Sequence, residues 1–270
     1  ITKYGEDGKA DIRLSAYQKK DGVIHIQEWF SMMNMLTSKV NSVNLDNQMK
    51  NIFRLAYAFG RNSWASSYNI PVGMSLSGTP LNEALISLHQ ILPKFQRENK
   101  LQKVQCVILT DGEACGVKYH REFNRKWESE PYLGTNCISN GCFLRDRKTG
   151  NTYSLDCEWY GITDIFLKNL RDNFSNTNFI GIRVLEGRDA GNFIRRYCDQ
   201  YGPDYVKTMN FWKKEKSFSL RNSGYNVYFG LSASALSQDT EFQVAEDATK
   251  TQIKSAFMKS LKSKKMNKKI

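Results

Sequence analysis

Two short segments of the chain hold residues whose types are suited to binding a metal ion. The first runs from Ser77 to Ala84 and the second from Thr110 to Glu113. They supply a threonine hydroxyl at Thr79 and a carboxylate at Asp111. Oxygen ligands of this kind suit hard divalent cations such as Mg²⁺. The neighbours that would support these two ligands are Ser77, Gly78, Gly112 and Glu113.

The elements between the two segments are predicted to bring them to one edge of a sheet. A helix is expected to begin at Pro80 with Thr79 as its cap, because proline is tolerated at the first helical position. Residues 104–109 are almost continuously apolar, which is typical of a strand buried on both faces of a parallel sheet. Asp111 follows that strand, and ligands of open parallel sheets bind outside the carboxyl ends of the strands.

The same residues also have a purely structural interpretation. Thr79 can serve only as the cap of its helix, and Asp111 with Gly112 can form a simple turn. Spacing alone leaves both interpretations open. Side chains of Thr79 and Asp111 that face apart, or that lie farther apart than an ion with its waters can bridge, would exclude the metal site.

Helical and apolar segments alternate along the chain, which predicts an α/β fold. We expect a mostly parallel sheet with helices on both faces. Residues 114–158 interrupt this rhythm and are interpreted as an insertion, in which Lys148 to Asn151 is typical of a hairpin turn. The main domain is predicted to span 1–246. Helices are predicted at 29–36, 45–59, 80–92, 162–174 and 193–201, and strands at 22–27, 104–109, 179–185 and 225–231.

The net charge of the 270-residue chain is +12 and is unevenly distributed. Seven lysines fall in 251–270, which contains no acidic residue, so removing them leaves +5. We interpret 247–270 as a basic amphipathic helix or tail. Such a tail either binds nucleic acid or another polyanion, or is a solvated end.

Composition also indicates the setting of the protein. No apolar run reaches the roughly 18 residues that suggest a membrane span. Six cysteines are too few for a dense disulfide framework, so we expect reduced thiols in a cytoplasm. The first residue is Ile1 rather than methionine, which we interpret as the start of a fragment.

Motifs for enzyme chemistry are sparse. The chain contains no His-Glu-x-x-His, no Gly-x-Ser-x-Gly and no phosphate-binding loop of the ATPase kind. His120 with Glu122 is the nearest approach to a hydrolase pair. Two clusters of residues have two open interpretations each. The first cluster either binds zinc or consists of unpaired thiols. The second either stacks on single-stranded nucleic acid or forms a surface loop. The first cluster is Cys115, His120, Cys137, Cys142 and Cys157, and the second is Phe211, Trp212 and Phe218 with Lys213, Lys214, Lys216 and Arg221.

The run from Met74 to Leu85, the helix after it and the strand ending in Thr110-Asp111-Gly112-Glu113 resemble the von Willebrand factor A-type domain. The resemblance is closest to the subset related to the cobaltochelatase accessory subunit. The stretch from about Leu45 to His120 is similar to proteins of large tailed bacteriophages that are often loosely labelled peptidases.

The resemblance implies a Rossmann-like sheet with a metal-ion-dependent adhesion site built from three loops. Its threonine carries onto Thr79 and its aspartate onto Asp111. Its Asp-x-Ser-x-Ser loop has no counterpart here and is expected upstream of Ile1. The aspartate and serines that come nearest to it have the wrong spacing or composition: Asp11, Ser15, Ser75 and Ser77.

The implied function is a protein-binding module that depends on Mg²⁺ or another divalent cation. An acidic side chain of the partner would complete the coordination of the ion. By the same resemblance the partner is an AAA+ ATPase of the chelatase kind, with this protein as its adaptor in the host cytoplasm. We lean against an enzyme, but a peptidase or other hydrolase, or polyanion binding through the tail, remain the alternatives.

Overall fold

The structure is a computed structural model that describes residues 3–4, 10–11, 19–27, 30–60, 78–124, 130–233 and 252. The described residues form two compact units. The first holds those up to Gly181 together with Leu220–Tyr228, and the second holds those of Ile182–Ser219 and from Phe229 onwards.

Helices and strands alternate over much of the described chain. The helices are α1 (Ser42–Gly60), α2 (Leu81–Asn99), α3 (Gly161–Asn173), α4 (Ala190–Arg195) and α5 (Pro203–Glu215). The strands are β1 (Lys3–Tyr4), β2 (Ala10–Asp11), β3 (Ile24–His25), β4 (Val104–Thr110), β5 (Lys118–Phe123), β6 (Tyr132–Cys137), β7 (Phe143–Arg145), β8 (Thr152–Ser154), β9 (Thr177–Leu185), β10 (Ser217–Leu220) and β11 (Val227–Ser232).

The main sheet has four strands in the order β10-β11-β9-β4 and is mostly parallel. The predicted α/β class is therefore confirmed, while the finer Rossmann-like arrangement stays a prediction. In the first unit α2 packs against α3, and both helices bury leucines in the core. Each buried leucine contributes about 1.5–3 kcal/mol of hydrophobic stabilisation. α2 continues through Pro93 and ends at Asn99, and the left-handed backbone of the following Lys100 (φ 53°) closes the last turn.

Strand β4 was predicted to be buried on both faces, and this is wrong. Val107 is 56% exposed and Leu109 is 68% exposed, whereas Val104 on the alternate face is buried. β4 stands last in the strand order of the described sheet, so its sequence could not reveal which face would be covered. Apolar runs predict strands more reliably than they predict cover from neighbouring helices.

The predicted insertion contains two antiparallel structures. β5 pairs with β3 on one side and β6 on the other. β7 and β8 form a hairpin whose turn holds Gly150 at a φ of 77°, so the turn predicted at Lys148 to Asn151 is confirmed. Asp146 anchors the turn, because its Oδ1 accepts hydrogen bonds from the N–H groups of Lys148 (2.8 Å) and Thr149 (3.2 Å).

One helix prediction is wrong and another is confirmed only in part. The described part of 29–36, residues 30–36, forms no helix, and its methionines are exposed rather than arranged in one buried stripe. The helix predicted at 193–201 ends at Arg195, and α5 was missed. Gly202 and Pro203 begin α5 and were its available signal.

The segment with aromatic and basic residues was weighed as a nucleic-acid platform or a surface loop. It instead forms α5 and β10 in the second unit. Trp212 is buried and meets Phe218 edge to face, with ring centroids 5.8 Å apart. These two rings therefore serve the core, while Phe211 is exposed.

The predicted basic tail at 247–270 lies outside the described residues except for Gln252. Within the described ranges, no helix combines the length and apolar character needed to cross a bilayer.

Candidate metal site

Thr79 directly precedes α2 but does not cap it. Pro80 occupies the N-cap position, and no side chain caps the helix. The backbone of Thr79 is held by Cys115, since the Thr79 N–H donates to Cys115 Sγ at 3.1 Å and the Thr79 carbonyl accepts from the Cys115 N–H at 2.8 Å. The interpretation of Thr79 as a helix cap is therefore wrong, and its hydroxyl is available for another role.

The Thr79 hydroxyl faces the backbone that follows Asp111. A Cβ placed on Gly112 would lie 2.7 Å from Thr79 Oγ1, closer than real side chains approach. Glycine is thus required at 112 by the close approach of the threonine. The structure brings the threonine segment and the aspartate segment together, although they are separated by a helix and a strand in the sequence.

The bend after β4 is fixed by Thr110. Its hydroxyl donates to the Gly112 carbonyl at 2.8 Å and accepts from the Gly112 N–H at 3.1 Å. Asp111 is exposed, Glu113 is half-buried, and Gly78 takes a left-handed φ of 61°. Ser77 lies outside the described residues.

A hydrogen-bonded path joins the two segments to α3. The buried Asn82 donates from Nδ2 to the Cys115 carbonyl at 3.1 Å, and its Oδ1 accepts from Thr163 Oγ1 at 2.9 Å. The sequence analysis missed Asn82 and Thr163 as site residues. No spacing rule would have paired them, because they are 81 residues apart.

Two acidic side chains come under mutual electrostatic influence at this edge. Burial raises the pKa of Asp164, the Gly224 N–H lowers it through a 2.8 Å hydrogen bond, and the negative charge of Glu113 raises it again. Carboxylates that repel one another in a partly desolvated place favour the arrival of a cation. Asp164 therefore lies within electrostatic reach of Glu113.

Glu83 is the most unusual acid near this edge. It lies in the first turn of α2, is only 2% exposed, and its Oε2 has no hydrogen-bond partner within the described chain. Burial raises its pKa, and its own N–H lowers it. A buried oxygen without a hydrogen-bond partner costs about 1–3 kcal/mol, so Glu83 lowers the stability of the fold.

The other candidate ligands do not assemble. Across the described ranges, no group of three or more His, Cys, Asp or Glu side chains is arranged to hold a metal ion. Cys137 and Cys157 are exposed free thiols. His120 is buried with its ring edge-on to His25 at 5.0 Å, whereas Glu122 is exposed. The structure thus gives no support to a zinc cluster or to a His120–Glu122 hydrolase pair.

The donor set of the two segments fits Mg²⁺ in kind. Thr79 and Asp111 offer one hydroxyl and one carboxylate, both oxygen donors. Mg²⁺ is six-coordinate and commonly keeps several waters while taking one or two carboxylates. An ion here would therefore need water, and further oxygen ligands, beyond these two residues.

Comparison with known proteins returned no match among protein-family models, among curated proteins or among solved structures. The function must accordingly be inferred from the residues of this chain.

Proposed function

We propose that this chain is a metal-ion-dependent protein-binding module of the von Willebrand factor A kind. Mg²⁺ or another divalent cation would be held by Thr79 and Asp111 at the end of β4. The observation that carries the proposal is the position of the Thr79 hydroxyl, which lies against Gly112 instead of capping α2. This position brings one of the two proposed oxygen donors to the backbone beside Asp111.

Exposure supports a binding role for this edge. Asp111 is exposed and follows β4, where a carboxylate remains accessible to an ion and to a partner. The Asn82 side-chain amide donates to the Cys115 carbonyl, and the Cys115 N–H donates to the Thr79 carbonyl, which holds the threonine segment against the chain that follows the aspartate segment. A preorganised pair of ligands loses less conformational entropy on binding than two mobile loops would.

The recognition chemistry follows from the ion. A bound divalent cation supplies concentrated positive charge that an ionised carboxylate of the partner can neutralise. Thr79 and Asp111 would orient the ion so that one coordination position faces outwards. Binding of this kind is reversible, depends on the cation, and selects for acidic residues in the partner.

The identity of the partner rests on resemblance and not on site chemistry. We propose an AAA+ ATPase of the chelatase kind, with this protein acting as its adaptor in a phage-type system. The setting would be the host cytoplasm.

The test is capture of a chelatase-type AAA+ ATPase by the immobilised chain. We expect capture in Mg²⁺ and at least a tenfold loss with chelator, with Asp111→Asn or with Thr79→Val, since removing a metal ligand costs at least as much as one charge-assisted hydrogen bond. Asp156→Asn is the matched control, because Asp156 is an exposed acid in the insertion. Capture that is indifferent to the cation would remove the proposal.

A further inference from the structure

An open cleft of about 550 Å³ lies in the first unit, beside α3. One wall is α3, and the other walls are the segments 174–178 and 222–226. Ligand sites commonly have volumes of roughly 300–1,000 Å³, so the cleft is large enough for a small polar group with its flanking chain. Its charged residues are Asp164, Lys168, Arg171 and Asp172.

Both acids of the cleft already accept hydrogen bonds. Asp164 Oδ1 accepts from the Gly224 N–H at 2.8 Å, and Asp172 Oδ2 accepts from the hydroxyl of Tyr153 at 2.8 Å. Their negative charge is therefore partly compensated from within the protein.

The two cations are less engaged. Arg171 donates from Nη1 to the Gly224 carbonyl at 3.2 Å, which uses one of its five N–H groups. Lys168 Nζ lies 5.9 Å from the centre of the Tyr153 ring. Neither cation forms a salt bridge with a described residue. Both residues line the cleft, and most of their donors are not used within the described residues.

Two neutral residues of the cleft add to this surplus of donors. Ser223 Oγ is buried and has no hydrogen-bond partner among the described residues. Asn226 uses its Oδ1 to accept from the Phe179 N–H at 2.8 Å, which leaves its amide N–H groups as donors. These side chains add unused donors beside the two cations, and the ligand that complements such donors is an oxyanion.

We propose that this cleft is an oxyanion subsite, in which Arg171, Lys168 and Ser223 bind a carboxylate or phosphate group of a protein segment. Guanidinium groups match both oxyanions through paired hydrogen bonds. The subsite itself requires no metal ion. Binding of an oxyanion there therefore stands independently of the proposed function.

The experiment is an NMR titration with inorganic phosphate and, separately, with acetate, in chelator and at constant ionic strength. We expect shifts concentrated at the amides of Ser223, Gly224 and Asn226. Arg171→Gln should weaken phosphate binding about tenfold, as expected for the loss of a charge-assisted contact. Lys168→Gln should weaken it by a smaller factor, since a flexible ammonium forms less directed contacts.

The matched controls are Arg54→Gln and Lys94→Gln, which remove exposed cations from α1 and α2. Ser223→Ala is the second test variant, since it removes a hydroxyl without a partner and leaves both cations and the Arg171–Gly224 hydrogen bond in place. It should weaken binding severalfold without lowering the unfolding midpoint, because a buried hydroxyl without a partner costs stability. Shifts spread over the surface, or equal weakening in test and control variants, would overturn the subsite.

Peptides then separate the two sources of the oxyanion. A phosphoserine peptide and its glutamate counterpart are titrated against the wild-type chain and against Arg171→Gln. A preference for one of the two peptides that is lost in Arg171→Gln supports the subsite and identifies the source of the oxyanion. Since the titrations are run in chelator, binding that persists there stands even if the metal-dependent function fails.

Discussion

The fold shifts the pKa values of two sets of carboxylates in the first unit in opposite directions. Partial burial disfavours the charged form of Asp146, yet hydrogen bonds from Asn173, Asn169 and two backbone N–H groups lower its pKa strongly. Burial instead raises the pKa of Glu83 and of Asp164. Asp146 stabilises the β7–β8 turn against α3, whereas the other two lie beside the edge where Thr79 meets Gly112.

The difference separates an acid whose charge is stabilised by hydrogen bonds from acids whose charged form burial disfavours. A carboxylate that accepts a full set of hydrogen bonds has a structural role, so its mutation should lower the free energy of unfolding. Carboxylates with raised pKa values and too few donors concentrate at functional sites. The contrast separates a carboxylate that stabilises the β7–β8 turn from carboxylates whose charged form burial disfavours.

The largest effect is expected from Asp146→Asn. This change removes the charge that four donors stabilise and should lower the free energy of unfolding at pH 7 by roughly 2–3 kcal/mol. Because the folded pKa is depressed, this stability is present above the unfolded value of about 3.9 and is lost as the pH falls below it. Urea unfolding between pH 3 and 7 measures the difference. Asp156→Asn should leave stability unchanged, and an equal loss there would contradict the contrast.

Gly112→Ala should have the next largest effect. Its Cβ would meet Thr79 Oγ1 at 2.7 Å, and such overpacking costs about 1–3 kcal/mol. In a Thr79→Ala background the cost should shrink, giving a coupling energy of about 1 kcal/mol in a double-mutant cycle. Gly116→Ala is the control, since a Cβ there meets nothing within 4 Å. Additive effects of the two substitutions would show that the segments do not touch.

The smallest effect, with the opposite sign, is expected from Glu83→Gln. Replacing a buried carboxylate whose Oε2 lacks a partner should raise the free energy of unfolding at pH 7 by about 1 kcal/mol. A raised folded pKa means that the wild-type chain loses stability as the pH rises from the unfolded value of about 4.3 through the folded one. The advantage of the variant should therefore vanish at pH 3. An advantage that is equal at both pH values would indicate a packing effect rather than a charge effect.

Sequence patterns predicted the elements that depend on local signals. The leucine stripe of α2, the apolar run of β4 and the turn at Lys148 to Asn151 each contain their own periodicity or turn chemistry, and each was found. The exposure of Val107 and Leu109 depends on which helices cover the sheet, so β4 itself carried no sign of it.

The contacts that build the candidate site were not predictable in the same way. Asn82 meets Thr163 across 81 residues, and Gly224 meets Asp164 across 60. Such pairs arise from tertiary packing and leave no periodic trace in the sequence. The close approach of Thr79 to Gly112 had a visible signal only at the glycine, where a tight turn was an equally good interpretation.

The most direct test of the central claim is a titration of the chain with Mn²⁺, followed by NMR line broadening. Mn²⁺ shares the preference of Mg²⁺ for carboxylate, carbonyl and water ligands, and its paramagnetism marks the nearest residues. We predict that the amide signals of Thr79, Gly112 and Glu113 broaden first, recover on addition of excess Mg²⁺, and stay sharp in Asp111→Asn. Broadening centred elsewhere, or unchanged by Asp111→Asn, would contradict a metal site formed by Thr79 and Asp111.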